Sequence, residues 1–170
     1  MNARKAGVAR QIFGALMLFA VSASAARAQT APGQSDDLVR RADVIVIGKV
    51  AHTKSAWNAD RSRITTTVTL SVDQSLKGGA PGTVTIVSLG GEVDGVGEWY
   101  SHAAQFKLDE EVLVYAQRDA QGKLRVSSGN RGKISIQRDE KTGRRVLPDG
   151  LPLERLVSQI KEAAAQLETN

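Results

Sequence analysis

Apolar and polar residues change their spacing several times along the 170-residue chain, and each change predicts an element. From Ile64 they alternate strictly. Ile64, Thr66, Val68, Leu70 and Val72 fall on one face and Thr65, Thr67, Thr69 and Ser71 on the other, the period of a strand with one face inside. Upstream, ADVIVIGKV (Ala42 to Val50) places four β-branched residues in a row, Val44 to Ile47, and predicts a strand covered on both faces. Between the two, HTKSAWNADRSR reads as a polar connection. Glycine and proline in SLKGGAPG predict a turn into a third strand, Thr83 to Leu89. Glu110 to Arg118 reads as a fourth strand; DAQG turns it into a fifth, KLRVSSG, and Gly132 to Arg138 makes a sixth. DEKTGR is a further turn before a short RVL.

The period then lengthens. In LPLERLVSQIKEAAAQLE, Leu153, Leu156, Val157, Ile160, Ala164 and Leu167 share one helical face, and Pro152 suits the first turn, where its missing amide hydrogen has no partner to lose. At the other end, a polar lead of residues 29–41 holds Ser35 as cap of a short helical turn through Arg41. Six short strands with hairpin-like spacing and one terminal helix predict a mainly β fold: a small antiparallel barrel of five to six strands over residues 42–147, with a C-terminal amphipathic helix, residues 148–170, packed on it.

The first 28 residues belong to a different pattern. Arg4, Lys5 and Arg10 precede an apolar run from Ile12 to Val21 and the small-residue site Ala26–Arg27–Ala28, the form of a secretory signal peptide cleaved before Gln29, or alternatively after Ala25. The run is half of the ~20 residues that cross a bilayer, so no permanent membrane anchor is expected. Export to the periplasm or beyond is. Residues 1–28 also carry four of the 23 basic residues and none of the 18 acidic ones, which leaves 19 against 18 and a net charge of +1. A uniformly basic surface for nucleic acid or anionic lipid is therefore not supported. Absence of cysteine excludes disulfides, thiolate metal sites and a cysteine nucleophile.

ADVIVIGKV, the threonine-alternating strand, SLKG, the diglycine and EEVLVYAQ together resemble a group of small exported bacterial proteins of unassigned function. More distantly they resemble the netrin-like domain, the OB-type barrel of tissue inhibitors of metalloproteinases. The likeness spans Asp43 to Ile136 and implies a five-stranded, partly closed OB-like barrel with helical cover. Those inhibitors reach the protease zinc through an amino-terminal cysteine, which this chain lacks, so no inhibitory residue carries over.

The segment with the densest chemistry is LGGEVDGVGEWYSH, Leu89 to His102. Its glycines match neither a dinucleotide nor a P-loop spacing, and Glu92, Asp94 and Glu98 would repel a phosphate. Those three carboxylates make a weak candidate cation site, without the alternating acids of an EF-hand. His52 and His102 lie fifty residues apart without ligand spacing; a metal-dependent hydrolase drawing on them and on the Glu92 to Glu98 acids is one alternative. Ser101 and His102 are neighbours without a nucleophile elbow, and Asp109, Glu110 and Glu111 read as a solvated turn. No catalytic residue and no cofactor is assigned.

Recognition remains. Trp57, Trp99, Tyr100 and Phe106 are four of the five aromatics after residue 28, and aromatics at connections either anchor a partner or plug the barrel. Trp57, Trp99, Tyr100 and His102 are the candidate partner-binding residues. Charge is polarised: residues 92–111 hold six acids and one base, residues 118–145 nine bases and three acids. With so few aromatics, a single-stranded nucleic-acid platform is not expected. The chain is expected to be an exported, non-catalytic binding module, monomeric or weakly self-associating, whose Trp57 loop and Gly90 to His102 loop share one end of the barrel. An envelope protease inhibitor or accessory protein, the metal-dependent hydrolase and a purely structural role are the alternatives.

Overall fold

The computed structural model describes residues 32–80 and 82–169, so the signal-peptide reading of residues 1–28 lies outside the described residues. The elements run α1 (Pro32–Arg41), β1 (Val44–Trp57), β2 (Ile64–Lys77), β3 (Thr83–Leu89), β4 (Gly91–Val93), β5 (Val96–Glu98), β6 (Glu111–Arg118) and β7 (Leu124–Val126). A 3-10 turn (Gly129–Gly132), β8 (Lys133–Ser135), β9 (Gln137–Arg138), β10 (Arg145–Val146) and α2 (Leu153–Glu168) complete the chain.

Five strands close an OB-like barrel in the order β1-β2-β3-β7-β6, with β6 returning to β1 and β8 lying outside along β6. The expected purely antiparallel barrel is corrected: β3 and β7 are parallel, Ile86 facing Leu124 and Val87 facing Arg125. The reason is arithmetic. Directions cannot alternate around a ring of five, so one pair in a closed odd-numbered barrel must run parallel.

Inside the barrel, Val46, Val50, Val68, Leu70, Ile86, Val112 and Val114 form one apolar cluster. Outside it, alternate residues of the same two strands, Ile45 and Ile47 of β1 with Leu113 and Tyr115 of β6, meet Val39 of α1 and Leu153, Ile160 and Ala164 of α2 in a second. This arrangement explains the unbroken apolar runs: β1 and β6 are covered on both faces, whereas β2 has Thr65, Thr67 and Thr69 outside and alternates.

Expectations for five elements are revised. The polar lead is a ten-residue helix in which Ser35 is internal, and Lys77 of β2 donates through Nζ to the carbonyls of Val39 and Ala42, at 2.8 and 2.7 Å, closing its C-terminal end. HTKSAW is not a connection, because its backbone pairs with the alternating strand from His52–Thr69 to Trp57–Ile64; a register shift between Val50 and His52 marks where the apolar half gives way to the polar half. The fifth strand stops at Val126, since Ser128 adopts a left-handed conformation (φ 56°) that begins the 3-10 turn. The sixth is interrupted at Ile136, which turns into the helix-covered cluster. In α2, Pro152 is the residue before the first turn, and Leu167 of the predicted apolar face is exposed, beyond the reach of the barrel.

Candidate functional site

The outer halves of β1 and β2 extend past the apolar interior, and there the inward face changes character. One step inside, Thr53, Val68 and Ile86 are register neighbours; the next row out is Ser55, Thr66 and Ser88, three hydroxyls across three strands. The last row pairs Trp57 with Ile64. The barrel therefore opens through a hydroxyl-lined mouth.

Over this mouth folds the acidic segment. It is a hairpin rather than an open connection: β4 and β5 pair Gly91 with Glu98, Glu92 with Gly97 and Val93 with Val96, around Asp94 (φ 52°) and Gly95 (φ 78°). Positive φ at both central residues is the twist a two-residue hairpin turn requires, and Asp-Gly is its common sequence. Gly91 is needed for another reason. A Cβ there would come within 2.4 Å of both Ser55 Oγ and Thr66 Oγ1, so the hairpin lies directly on the β1–β2 ribbon.

Hydrogen bonds hold it down. Ile64 donates its backbone N–H to Glu98 Oε2 at 2.8 Å, and its carbonyl accepts from the Gly90 N–H at 2.9 Å. Tyr100 donates its hydroxyl to the same Glu98 oxygen at 3.2 Å. Thr66 Oγ1 donates to the Gly90 carbonyl at 2.7 Å and lies 2.9 Å from Ser55 Oγ. Since a threonine hydroxyl has one proton, Ser55 is the donor to Thr66, and both oxygens keep only lone pairs to offer. Beyond the hairpin, the buried Ser88 hydroxyl donates to the Ala104 carbonyl at 2.7 Å. Phe106 packs on the interior cluster, with Lys133 Nζ 5.6 Å from its ring centroid.

The aromatics thus divide. Phe106 is half-buried against the barrel interior, Tyr100 is half-buried against Glu98, and Trp99 is 71% exposed. The Trp99 indole lies along the hairpin beside Gly97, where a Cβ would be 3.2 Å from Nε1. Trp57 is half-buried and stands at the end of β1, not in a loop. Ile64 joins the groups: it pairs with Trp57 and bonds the residues on either side of the β4–β5 hairpin. Trp57, Trp99 and Tyr100 consequently share one end of the barrel. His102 is exposed nearby, its Nδ1 3.0 Å from Ser101 Oγ, while its carbonyl accepts from the Asn130 N–H at 2.8 Å and ties this loop to the 3-10 turn.

The cation candidates are not gathered. Glu98 is committed to Ile64 and Tyr100, and Glu92 and Asp94 are exposed. Among the described residues no group of three or more histidine, aspartate or glutamate side chains is placed to hold a metal ion, and this includes His52, exposed on β1, and His102. What the mouth does contain is a cleft of about 200 Å³ between ribbon and hairpin, walled by Thr53, Ser55, Thr66, Glu92, Trp99 and Gln105. The sequence reading missed this cleft and the clamp by Glu98, although the Asp94-Gly95 pair between Val93 and Val96 signalled the hairpin that creates both.

Acids downstream serve the frame. Glu110 accepts from Lys133 Nζ and from Ser135 Oγ at 2.6 Å, and its other oxygen accepts from the Lys107 N–H at 3.1 Å. Burial works to raise its pKa, but these bonds outweigh it and hold the carboxyl below its ordinary value. Asp109 pairs with Lys49, and Glu111 with Arg138 and Arg145. Among known proteins, no family model and no curated protein matches the chain.

Proposed function

We propose that the protein is an exported binding module that engages a partner through the mouth of its barrel, with Trp99 as the anchor and Trp57, Tyr100 and His102 around it. The observation that carries this reading is the exposure of Trp99: the hairpin that presents it is fixed by Gly91, Glu98 and Ile64, so a large apolar ring is held in water on a rigid support. Burying such a ring is the usual source of a binding hot spot. Rigid presentation adds to it by lowering the ordering cost of association. Export is part of the proposal and rests on the sequence pattern of residues 1–28.

A photo-crosslinking amino acid placed at Val96, exposed on the hairpin that carries Trp99, should give a discrete adduct in cells, and the same group at Gln159, on the exposed side of α2, should give none. Equal labelling at both positions, or none at position 96, would remove the mouth as the recognition surface.

A further inference from the structure

The cleft beside Trp99 also carries information about the chemistry of its occupant. Register places Glu92 opposite Gly97, so the two share a face of the β4–β5 hairpin, and the side-chain position left empty at Gly97 is where the Trp99 indole lies. A carboxylate and an aromatic ring therefore stand side by side at the cleft. The remaining wall is neutral and rich in acceptors: the hydroxyl protons of Ser55 and Thr66 are engaged within the protein, Thr53 and Gln105 can each accept as well as donate, and no lysine or arginine lines the space.

Charge separates this place from the other acids of the segment. Asp109, Glu110 and Glu111 are each neutralised by a lysine or arginine, and Glu98 is bound to Ile64 and Tyr100. Glu92 and Asp94 make no ion pair among the described residues, so the uncompensated negative charge of the segment is concentrated on the hairpin that carries Trp99. Anionic ligands are disfavoured there by repulsion.

We infer that the cleft receives an arginine side chain of a partner protein, its guanidinium plane stacked on the Trp99 indole and its N–H groups donated to Glu92 and to the Ser55 and Thr66 oxygens. This deepens the proposed function and rests on it. A guanidinium is flat, weakly hydrated and rich in donors, the complement of an aromatic wall beside acceptors. The volume, about 200 Å³, is below the roughly 300 to 1,000 Å³ of sites for larger ligands and suits one side-chain head group.

The test follows tryptophan emission in the full chain and in its Trp57→Phe variant, which leaves Trp99 as the remaining tryptophan of the two; because Trp57 borders the mouth, the affinity ratio is taken from the unaltered chain and the variant assigns the signal to Trp99. The probes are a capped Gly-Arg-Gly-Arg-Gly peptide and its citrulline counterpart, equal in shape and uncharged, with maltotriose as a neutral polyhydroxyl control. The arginine peptide should change Trp99 emission with an affinity about tenfold above that of the citrulline peptide, the size of a cation–aromatic contact reinforced by one carboxylate. Glu92→Gln should reduce that ratio several-fold, while Glu140→Gln, a distant exposed acid, leaves it unchanged. Equal binding of the two peptides, binding of maltotriose instead, or no response to either peptide at millimolar concentration overturns the inference. If crosslinking at position 96 persists in that case, only the arginine assignment falls; if crosslinking also fails, the proposed function falls with it.

Discussion

The two ends of β1 are built by different means. Its first half is buried on both faces from Val44 to Gly48, between the barrel interior and the helices; its second half, His52 to Trp57, is a polar ribbon held by backbone pairing and the hairpin above it. In the first, area removed from water fixes position and an apolar residue of the right size would serve, Gly48 apart, where a Cβ would meet the Ser71 carbonyl oxygen at 2.3 Å. In the second, particular atoms do so: the Glu98 carboxylate on the Ile64 amide, and a missing Cβ at Gly91. Stability and presentation are therefore assigned to separate parts of one strand pair, and the large ring left in water, Trp99, belongs to the second part.

The comparison breaks most visibly in the doubly covered half. Leu113 is fully buried in the helix-covered cluster, so Leu113→Ala should cost about 2 to 5 kcal/mol in denaturant unfolding. A smaller and more local effect is expected at the ribbon. Gly91→Ala sets a Cβ against Ser55 and Thr66 at a φ of 134°, and should cost about 1 to 3 kcal/mol. Its signature is faster hydrogen exchange at the Ile64 amide with the amides of β6 unaffected.

Acid should act on the frame through Glu110, whose carboxyl is held below its ordinary value in the fold by Lys133, Ser135 and the Lys107 amide against the opposing effect of burial. A group depressed in the folded state favours the fold above its unfolded pKa and loses that contribution as pH falls through the folded value. Thermal melting should therefore decline on acidification below the ordinary glutamate range, about pH 4.3, and Glu110→Gln should lower the melting temperature at pH 7 while flattening the acid limb. An unchanged acid limb would show that Glu110 is not the group responsible. Smallest of all is the expected stability effect of Trp99→Ala, within about 0.5 kcal/mol, because the ring packs on little besides Gly97.

How much of this was readable follows the same division. Where burial decides, the pattern of residues reports it: Val44 to Ile47 announced two covered faces, and Ile64 to Leu70 announced one. The C-terminal helix was legible from its period, and Leu167 was misplaced on its inner face because a linear period does not say where the barrel ends. Where single hydrogen bonds decide, the pattern is silent. HTKSAW has no apolar alternation, and it is a strand only because β2 is there to pair with it. Glu98 was grouped with Glu92 and Asp94 as a cation ligand because residue type alone does not show that its oxygen receives an amide from Ile64, thirty-four residues away. The parallel β3–β7 pair followed from closure, which no local stretch encodes.

The central claim, that the Trp99 end is a recognition surface separable from the stabilising core, is tested most directly by hydroxyl-radical footprinting of the chain in its native compartment and after purification. Trp99 should be labelled rapidly in the purified protein and protected in the cell, while the exposed Leu151 and Leu167, elsewhere on the surface, label equally in both. Equal labelling of Trp99 in the two states would contradict the account.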